Sequence, residues 1–151
     1  MLVNSIVPIT AGKIRNGEYK NPFDGHLGVN IGRDFISSNE RSVVTTTPPD
    51  TARNVHGSVH GGYTASLLDT VASGTVYSAQ PNGLKDDEYA LTASLNIEFK
   101  KPVVIGRKYT CEGTVVGREG NNIQTKAALT DDQGVQVATA TALVKARRAD
   151  Y

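Results

Sequence analysis

The architecture of this 151-residue chain depends on residues 61–79, which read GGYTASLLDTVASGTVYSA. Apolar side chains recur there at helical spacing and also fill a neighbouring stripe: Ala65, Leu67, Leu68, Val71, Ala72 and Val76. They cover more than half of the helix circumference, so we expect this helix to be largely buried. The run Gln80-Pro81-Asn82-Gly83 ends the helix, as proline and glycine commonly do just past a C-terminus.

Strand patterns lie on both sides of this helix. Downstream, residues 91–99 alternate apolar and polar side chains, and three more strands are predicted at 108–118, 123–129 and 135–145. Short connections rich in glycine, asparagine and aspartate predict an antiparallel meander. Upstream, we predict strands at 27–36 and 42–47, joined by a turn at 37–40 and stopped by Pro48-Pro49.

One helix cannot cover both faces of a sheet of this size, so the sheet is expected to curl around it. A second copy of the chain is then expected on the outer face or at an edge. The first 26 residues show no sustained period and are interpreted as an N-terminal arm. Residues 27–151 are predicted to form a single domain.

Charge and composition exclude several classes of function. The 16 basic and 15 acidic residues leave a net charge of +1, and there is no tryptophan, so nucleic-acid binding is not predicted. The short basic cluster of Lys145, Arg147 and Arg148 is interpreted as a solvated chain end. No segment has the apolar length of a signal peptide core or a membrane span, so we expect a cytoplasmic protein that does not bind membranes.

Cys111 is the only cysteine, so the chain cannot form an intramolecular disulfide. It lies in a strand-like alternation, which indicates a buried structural thiol and not a nucleophile.

The start of the helix has the features of an oxyanion hole. The first backbone N–H groups of a helix have no intrahelical acceptor and lie at the positive end of the macrodipole. Gly61 and Gly62 have no β-carbon, so a ligand carbonyl could approach those groups closely.

Asp69 is the second chemical feature, a carboxylate between Leu67-Leu68 and Val71-Ala72. An ionised carboxylate in an apolar stretch is costly unless it is paired or solvated, so Asp69 either lies on a polar stripe or has a chemical task. Asn54 and His60 could supply orienting hydrogen bonds, or could satisfy local backbone groups instead. His56 and His60 precede the helix without an acidic third ligand, so no metal site is predicted.

Together these residues resemble a known family. Asn-(x5)-His-Gly-Gly with an aspartate nine residues after the histidine, followed by four alternating strands, resembles the hotdog-fold thioesterases. The likeness is greatest to the phenylacetic-acid-degradation type, which hydrolyses acyl- or aryl-CoA thioesters, and it spans residues 27–145. It implies an α+β hotdog fold, a curled antiparallel sheet around one long central helix, with the strands of two subunits joined in an extended sheet.

The resemblance also implies roles for individual residues. Asp69 is then the general base or the nucleophile, and the Gly61 N–H polarises the thioester carbonyl. Asn54 positions the carbonyl or the attacking water, and His60 shapes the loop. Three further positions are implied to lie on the substrate side of the site, namely Gly62, Ser73 and Thr92. Thr92 falls on the polar side of its strand, so the sequence leaves its approach to the site open.

In such enzymes the site lies between subunits, so the resemblance implies a homodimer and commonly a homotetramer. The CoA thioester is the substrate, and no cofactor is implied. Basic residues such as Lys100, Lys101 or Arg147 are candidates for contact with the CoA phosphates.

Two other functions are weighed. Hotdog dehydratases use an aspartate followed about five residues later by a histidine, and no histidine follows Asp69 in this chain. A non-catalytic acyl-CoA-binding protein stays open as the alternative.

Overall fold

The computed structural model describes residues 8–17, 27, 36–38 and 40–149. The elements whose bounds lie within these residues are α1 (Ala11–Arg15), β1 (Ile36–Ser38), β2 (Arg41–Thr46), a short 3₁₀ turn (Asp50–Ala52), α2 (Gly61–Ser78), β3 (Glu88–Phe99), β4 (Tyr109–Glu119), β5 (Asn122–Asp131) and β6 (Gln136–Arg148). The predicted central helix and the four strands that follow it are confirmed, with ends that differ by a few residues.

The strands form one antiparallel sheet in the order β1-β2-β4-β5-β6-β3. The predicted meander is correct for β4, β5 and β6 but wrong for β3, which pairs with β6 at the edge of the sheet. The segment between β3 and β4 is too long for a tight hairpin. It is held instead against the chain that precedes α2, because Val59 N donates to Val103 O at 2.8 Å and Gly106 N to Pro48 O at 2.9 Å.

The sheet curls around α2, as expected from the sequence, and α2 contacts every strand from β2 to β6. Its core side chains are at most 1% exposed: Leu67, Leu68, Val71, Ala72 and Val76. Gly113 in β4 allows the close approach of helix and sheet, because a β-carbon there would lie 2.8 Å from the backbone oxygen of Val71. The predicted α+β architecture is therefore confirmed.

The region before α2 differs from the predicted pattern. Ser37 and Ser38, assigned to a turn from their chemistry, lie in β1 opposite Ser42 and Arg41, so the chain reverses between Ser38 and Arg41. Backbone pairing with β2 outweighs the local turn preference of serine here. The strand predicted at 27–36 lies mostly outside the described residues, but Leu27 itself is helical and not extended.

Part of the predicted N-terminal arm packs against the domain. Ala11 of α1 is fully buried. Arg15 donates at 2.6 Å to Tyr77 O and Leu84 O and forms an ion pair with Asp86. These contacts attach α1 to the end of α2 and the chain after it. The boundary predicted between residues 26 and 27 falls at the end of a segment, 18–26, outside the described residues.

Cys111 is buried in the core, as predicted. Burial raises the pKa of its thiol far above the ordinary range, which is the opposite of what a nucleophilic cysteine requires. In the part of the chain that the structure describes, no helix is long and apolar enough to cross a membrane.

A buried ion pair between Glu88 and Arg118 lies near the end of α2. Glu88 is 4% exposed, and its two carboxylate oxygens accept from the Arg118 guanidinium at 2.9 and 3.0 Å. The backbone N–H of Lys85 also donates to it, at 2.9 Å. The hydrogen bond from Arg118 is the main cause that lowers the pKa of Glu88 below its ordinary value.

Glu88→Gln is expected to lower the free energy of unfolding at neutral pH by about 3 kcal/mol, because Arg118 is left in a buried site without its anion. A depressed carboxylate pKa stabilises the folded state above the ordinary glutamate pKa, and that stability is lost as the pH falls through the folded value. The difference between wild type and variant in the free energy of denaturant unfolding should therefore be full at neutral pH and shrink as the pH falls below the ordinary glutamate pKa of about 4.3. Glu98→Gln, at an exposed carboxylate, is the control. If the free energy of unfolding falls equally with pH in the wild type and in Glu88→Gln, Glu88 is not the ionised partner of Arg118.

Candidate active site

Asp69 lies on a polar stripe of α2. One side of this helix is buried in the core, and the less buried side carries Ser66, Asp69 and Ser73. The predicted burial of the helix is thus confirmed, and the carboxylate is half-buried at its margin. Of the two possibilities left open for Asp69, the polar stripe is confirmed, and a chemical task stays a prediction.

That partner is Thr92 of β3, whose hydroxyl donates to Asp69 Oδ1 at 2.8 Å. The register of β3 against β6 shifts between Thr92 and Ser94. A bulge of this kind changes which side chains of a strand face the core. The strict alternation in the sequence placed Thr92 on the polar side of its strand, and the bulge lets it share the helix side with Leu95 and Ile97. No ion pair among the described residues includes Asp69, so Thr92 is the side-chain donor that fixes its orientation.

Ser73 contacts the backbone of Asp69 and not its carboxylate. Its hydroxyl donates to Asp69 O at 2.7 Å, and Ser66 donates to Gly62 O in the same way at 2.8 Å. Both hydroxyl hydrogens are therefore used within the helix, while the hydroxyl oxygens stay able to accept. The substrate-side role of Ser73 stays a prediction.

The first turn of α2 is capped by His60. Its Nδ1 accepts from Gly62 N at 2.9 Å, and its backbone oxygen accepts from the N–H groups of Tyr63 and Thr64. The remaining N–H of this turn belongs to Gly61, and no described residue provides an acceptor for it. Gly61 is exposed, so this donor faces open space at the positive end of the helix.

The space around a β-carbon differs between the two glycines at the start of α2, Gly61 and Gly62. A β-carbon on Gly62 would lie 3.0 Å from His60 Nδ1, so Gly62 makes room for the cap. A β-carbon on Gly61 would meet nothing closer than the Phe99 ring, at 3.8 Å, which is an ordinary contact. Neither packing within the chain nor a left-handed backbone requires glycine at position 61. Its side-chain position is open, beside an N–H for which no described residue provides an acceptor.

The side chain of Asn54 forms hydrogen bonds within the loop that precedes α2. Its Oδ1 accepts from His56 N at 2.9 Å and from Ser58 N at 3.1 Å, and its Nδ2 donates to Ser58 Oγ at 3.0 Å. Two backbone hydrogen bonds complete the turn, from Asn54 N to Ser58 O at 2.8 Å and from Gly57 N to Asn54 O at 3.2 Å. One hydrogen of Nδ2 is left for a ligand, so a positioning role for Asn54 stays a prediction beside its observed structural role.

Within one chain the two chemical centres are well separated. Asp69 follows Gly61 by eight residues on the same helix, a rise of about 12 Å along the axis. A reacting carbonyl must lie within about 3 Å of both its donor and its attacking group. The structure therefore brings Thr92 and Ser73 to Asp69, and His60 and Gly62 to Gly61, but it does not join these two groups.

Phe99 is a neighbour of the site that sequence reasoning missed. It ends β3 beside Gly61 and is 56% exposed. In the sequence it is only the last apolar residue of an alternating strand, and nothing in that pattern indicates that the ring lies at the helix N-terminus.

Comparisons with known proteins agree with this architecture. The model of the thioesterase superfamily matches residues 56–138, more than half of the chain. The comparison with curated proteins found no match. Among solved structures, the Escherichia coli PaaI protein from the phenylacetic acid degradation operon is 22% identical, with a TM-score of 0.76, over 94% of this chain and 98% of its own.

Two further solved structures are similar. A phenylacetic acid degradation-related protein from Ralstonia eutropha JMP134 is 26% identical, with a TM-score of 0.75, over 90% of this chain and 98% of its own. A Streptococcus mutans UA159 protein bound to acetyl-CoA is 23% identical, with a TM-score of 0.67, over 78% of this chain and 90% of its own. With the family match and the shared fold, the chain belongs to the thioesterase superfamily and has its PaaI-like hotdog fold.

Proposed function

We propose that this chain is a thioesterase that hydrolyses acyl- or aryl-CoA thioesters to the free acid and CoA. The observation that carries the proposal is that one helix bears both an open donor, the Gly61 N–H at its start, and a carboxylate, Asp69, that a hydroxyl holds in place. The Streptococcus mutans relative with bound acetyl-CoA supports a CoA thioester as the substrate. The proposed reaction needs no metal and no cofactor beyond the CoA carried by the substrate.

The proposed site is completed by a second copy of the chain. Among the described strands, β3 is the edge strand next to the site, since Thr92 on it contacts Asp69 and Phe99 at its end lies beside Gly61. Leu91 and Phe99 of this strand are 50% and 56% exposed. A second β3 beside it would satisfy the edge backbone groups and cover these side chains. Two-fold symmetry makes such a pairing antiparallel, so the Thr92 half of one strand meets the Phe99 half of the other.

This pairing moves the two chemical centres toward each other. Asp69 is bonded to Thr92, and Gly61 lies beside Phe99, so Asp69 of one subunit would approach Gly61 of its mate. The dimer is the proposed unit of catalysis, and two dimers would form the homotetramer. This arrangement removes the 12 Å separation that prevents one chain from forming the site alone.

The chemistry follows from the positions of these groups. The thioester carbonyl oxygen accepts from the Gly61 N–H, which stabilises the charge that develops as the carbonyl carbon is attacked. Asp69 either attacks that carbon, giving an anhydride and the CoA thiolate, or takes a proton from an attacking water. Thr92 holds the carboxylate in both cases, and the loop built by Asn54 and His60 fixes the donor.

The alternative is an acyl-CoA-binding protein without catalysis. Gly61 favours the enzyme, because a helix N-terminal N–H that no side chain covers is suited to donate to a carbonyl oxygen, a contact that a purely apolar binding site does not need. Asp69 favours it as well, since a carboxylate near a bound thioester adds nothing to affinity for an uncharged acyl chain.

A panel of short, long and aromatic acyl-CoAs tests the proposal through the release of free thiol. We expect multiple turnovers with at least one member and no dependence on added metal. Binding of the same acyl-CoAs by calorimetry, with less than one thiol released per site, would instead identify the non-catalytic binding protein.

A further inference from the structure

The free edge of β3 is closed near one end by the side chain of Tyr77. The backbone N–H of Ala90 donates to the Tyr77 hydroxyl at 3.1 Å. This N–H points away from β6, because Ala146, which stands opposite Ala90, donates its own N–H to Asn121 O on the other side, at 2.8 Å. Tyr77 therefore occupies the space beside Ala90 in which the strand of a second copy would lie.

Tyr77 is held in this place by the rest of the domain. Its ring packs against the hydrophobic core, and its backbone oxygen accepts from Arg15 Nε at 2.6 Å. The hydroxyl is thus an acceptor that is already in position at the edge before any second chain arrives.

The part of the edge that is left for a partner runs from Thr92 to Phe99. In an antiparallel sheet the backbone groups of successive residues face alternate neighbours, so Thr92, two residues after Ala90, also faces the edge. At the other end, Lys100 N donates to Val137 O beside β6, at 2.9 Å. The residue before it, Phe99, therefore faces the edge.

The possible pairings of this edge with a second copy differ in steps of two residues. A slip of one residue would turn the helix-side residues of one strand against the outer face of the other. In one pairing Thr92 stands opposite Phe99 of the mate, and in the next Ala90 does. The second pairing needs the edge groups of Ala90, beside which Tyr77 already lies. A slip in the opposite direction puts Leu95 opposite Phe99 and leaves the edge groups of Thr92 unpaired.

The register of this pairing decides whether the proposed site can form. Thr92 is bonded to Asp69, and Phe99 lies beside Gly61. The pairing of Thr92 with Phe99 therefore puts the carboxylate of one chain beside the open N–H of the other. A slip of two residues displaces them by about 7 Å along the strand. That is more than twice the distance of about 3 Å within which both groups must reach one carbonyl.

We propose that Tyr77 is a positioning residue of the active site. Its hydroxyl closes the β3 edge at Ala90 and selects the register in which Thr92 of one chain stands opposite Phe99 of the other. This inference rests on the proposed function, because it takes the catalytic unit to be the dimer paired through β3. Tyr77 acts through the position of the partner chain and not through the substrate.

Two engineered cysteines report the register, and the native Cys111 is buried and does not interfere. In the proposed register Asn96 stands opposite Asn96 of the mate, whereas in the register that pairs Ala90 with Phe99 it is Leu95 that meets its own copy. Asn96→Cys and Leu95→Cys should each form a disulfide in one register only, because a slip of about 7 Å exceeds the reach of the bond. The ratio of the two initial rates of disulfide formation measures the equilibrium between the registers.

Tyr77→Phe keeps the ring and removes the hydroxyl. We expect it to lower the ratio of the Asn96→Cys rate to the Leu95→Cys rate by about fivefold or more, the effect of one lost hydrogen bond. Tyr89→Phe removes a hydroxyl from the neighbouring residue of Ala90 on β3 and is the control, with a ratio within about twofold of the wild type. An unchanged ratio in Tyr77→Phe, a wild type that links faster through Leu95→Cys, or a wild type that sediments as a monomer would overturn the inference.

Kinetics test the consequence for the site. Tyr77→Phe should lower kcat for acyl-CoA hydrolysis with little change in KM, because slipped dimers are inactive and aligned dimers are normal. The disulfide of Tyr77→Phe/Asn96→Cys should restore kcat, and reducing it should remove the gain, which a merely loosened fold would not show. A register that depends on Tyr77 in a protein without thioester turnover would support the inference and reject the proposed hydrolysis.

Discussion

Asp69→Asn is expected to lower kcat for acyl-CoA hydrolysis by about a thousandfold or more, while changing KM little. The amide has the shape of the carboxylate and can still accept from Thr92, so the fold and the position of the side chain should be kept. It is neither a base nor an effective nucleophile, and losing such a group typically costs between about a hundred- and ten-thousandfold. Initial rates of thiol release, at substrate concentrations on both sides of KM, measure the effect.

The control for this variant is Glu119→Gln, which neutralises an exposed carboxylate at the end of β4 and should keep full activity. Circular dichroism and melting temperature establish that Asp69→Asn is folded. Turnover that persists undiminished in a folded Asp69→Asn protein would remove Asp69 from the mechanism and transfer the chemistry to another group.

The buried helix could be predicted because several features of its own short stretch of sequence independently indicate it. Apolar side chains repeat over five turns, glycines open the helix and Pro81 follows its end, so pattern, caps and breakers agree. The glycines at its start also pointed to the open N–H, since the orphan donors of a helix follow from its geometry alone. The structure adds that His60 accepts from the other three donors of this turn, the N–H groups of Gly62, Tyr63 and Thr64.

The contact between Thr92 and Asp69 could not be predicted, because it depends on a bulge. A shift in register between Thr92 and Ser94 changes which residues of β3 face the helix, and no glycine or proline in that segment indicates it. The edge position of β3 was missed for a related reason. Local turn chemistry describes hairpins, whereas β3 pairs with a strand that follows it by about 40 residues.

The second large effect concerns Gly61, and it tests whether two chains share one site. Gly61→Val should lower kcat about a hundredfold, because the side chain occupies the space from which the thioester carbonyl oxygen accepts the hydrogen bond of the residue 61 N–H. The chain itself has room for it, since the nearest atoms to a β-carbon there are those of the Phe99 ring at 3.8 Å. The variant should therefore fold, and its melting temperature verifies this.

Mixing the two inactive proteins then gives a result that neither can give alone. In a heterodimer of Asp69→Asn and Gly61→Val chains, one site combines the intact Asp69 of the second chain with the intact Gly61 of the first. Random reassembly of equal amounts makes half of the dimers mixed, so about a quarter of all sites should regain wild-type activity. Each variant carried through the same unfolding and refolding alone is the control. If the activity of the mixture stays at the sum of the two separate variants, Asp69 and Gly61 act within one chain. The distance of about 12 Å between them along α2 argues against that outcome.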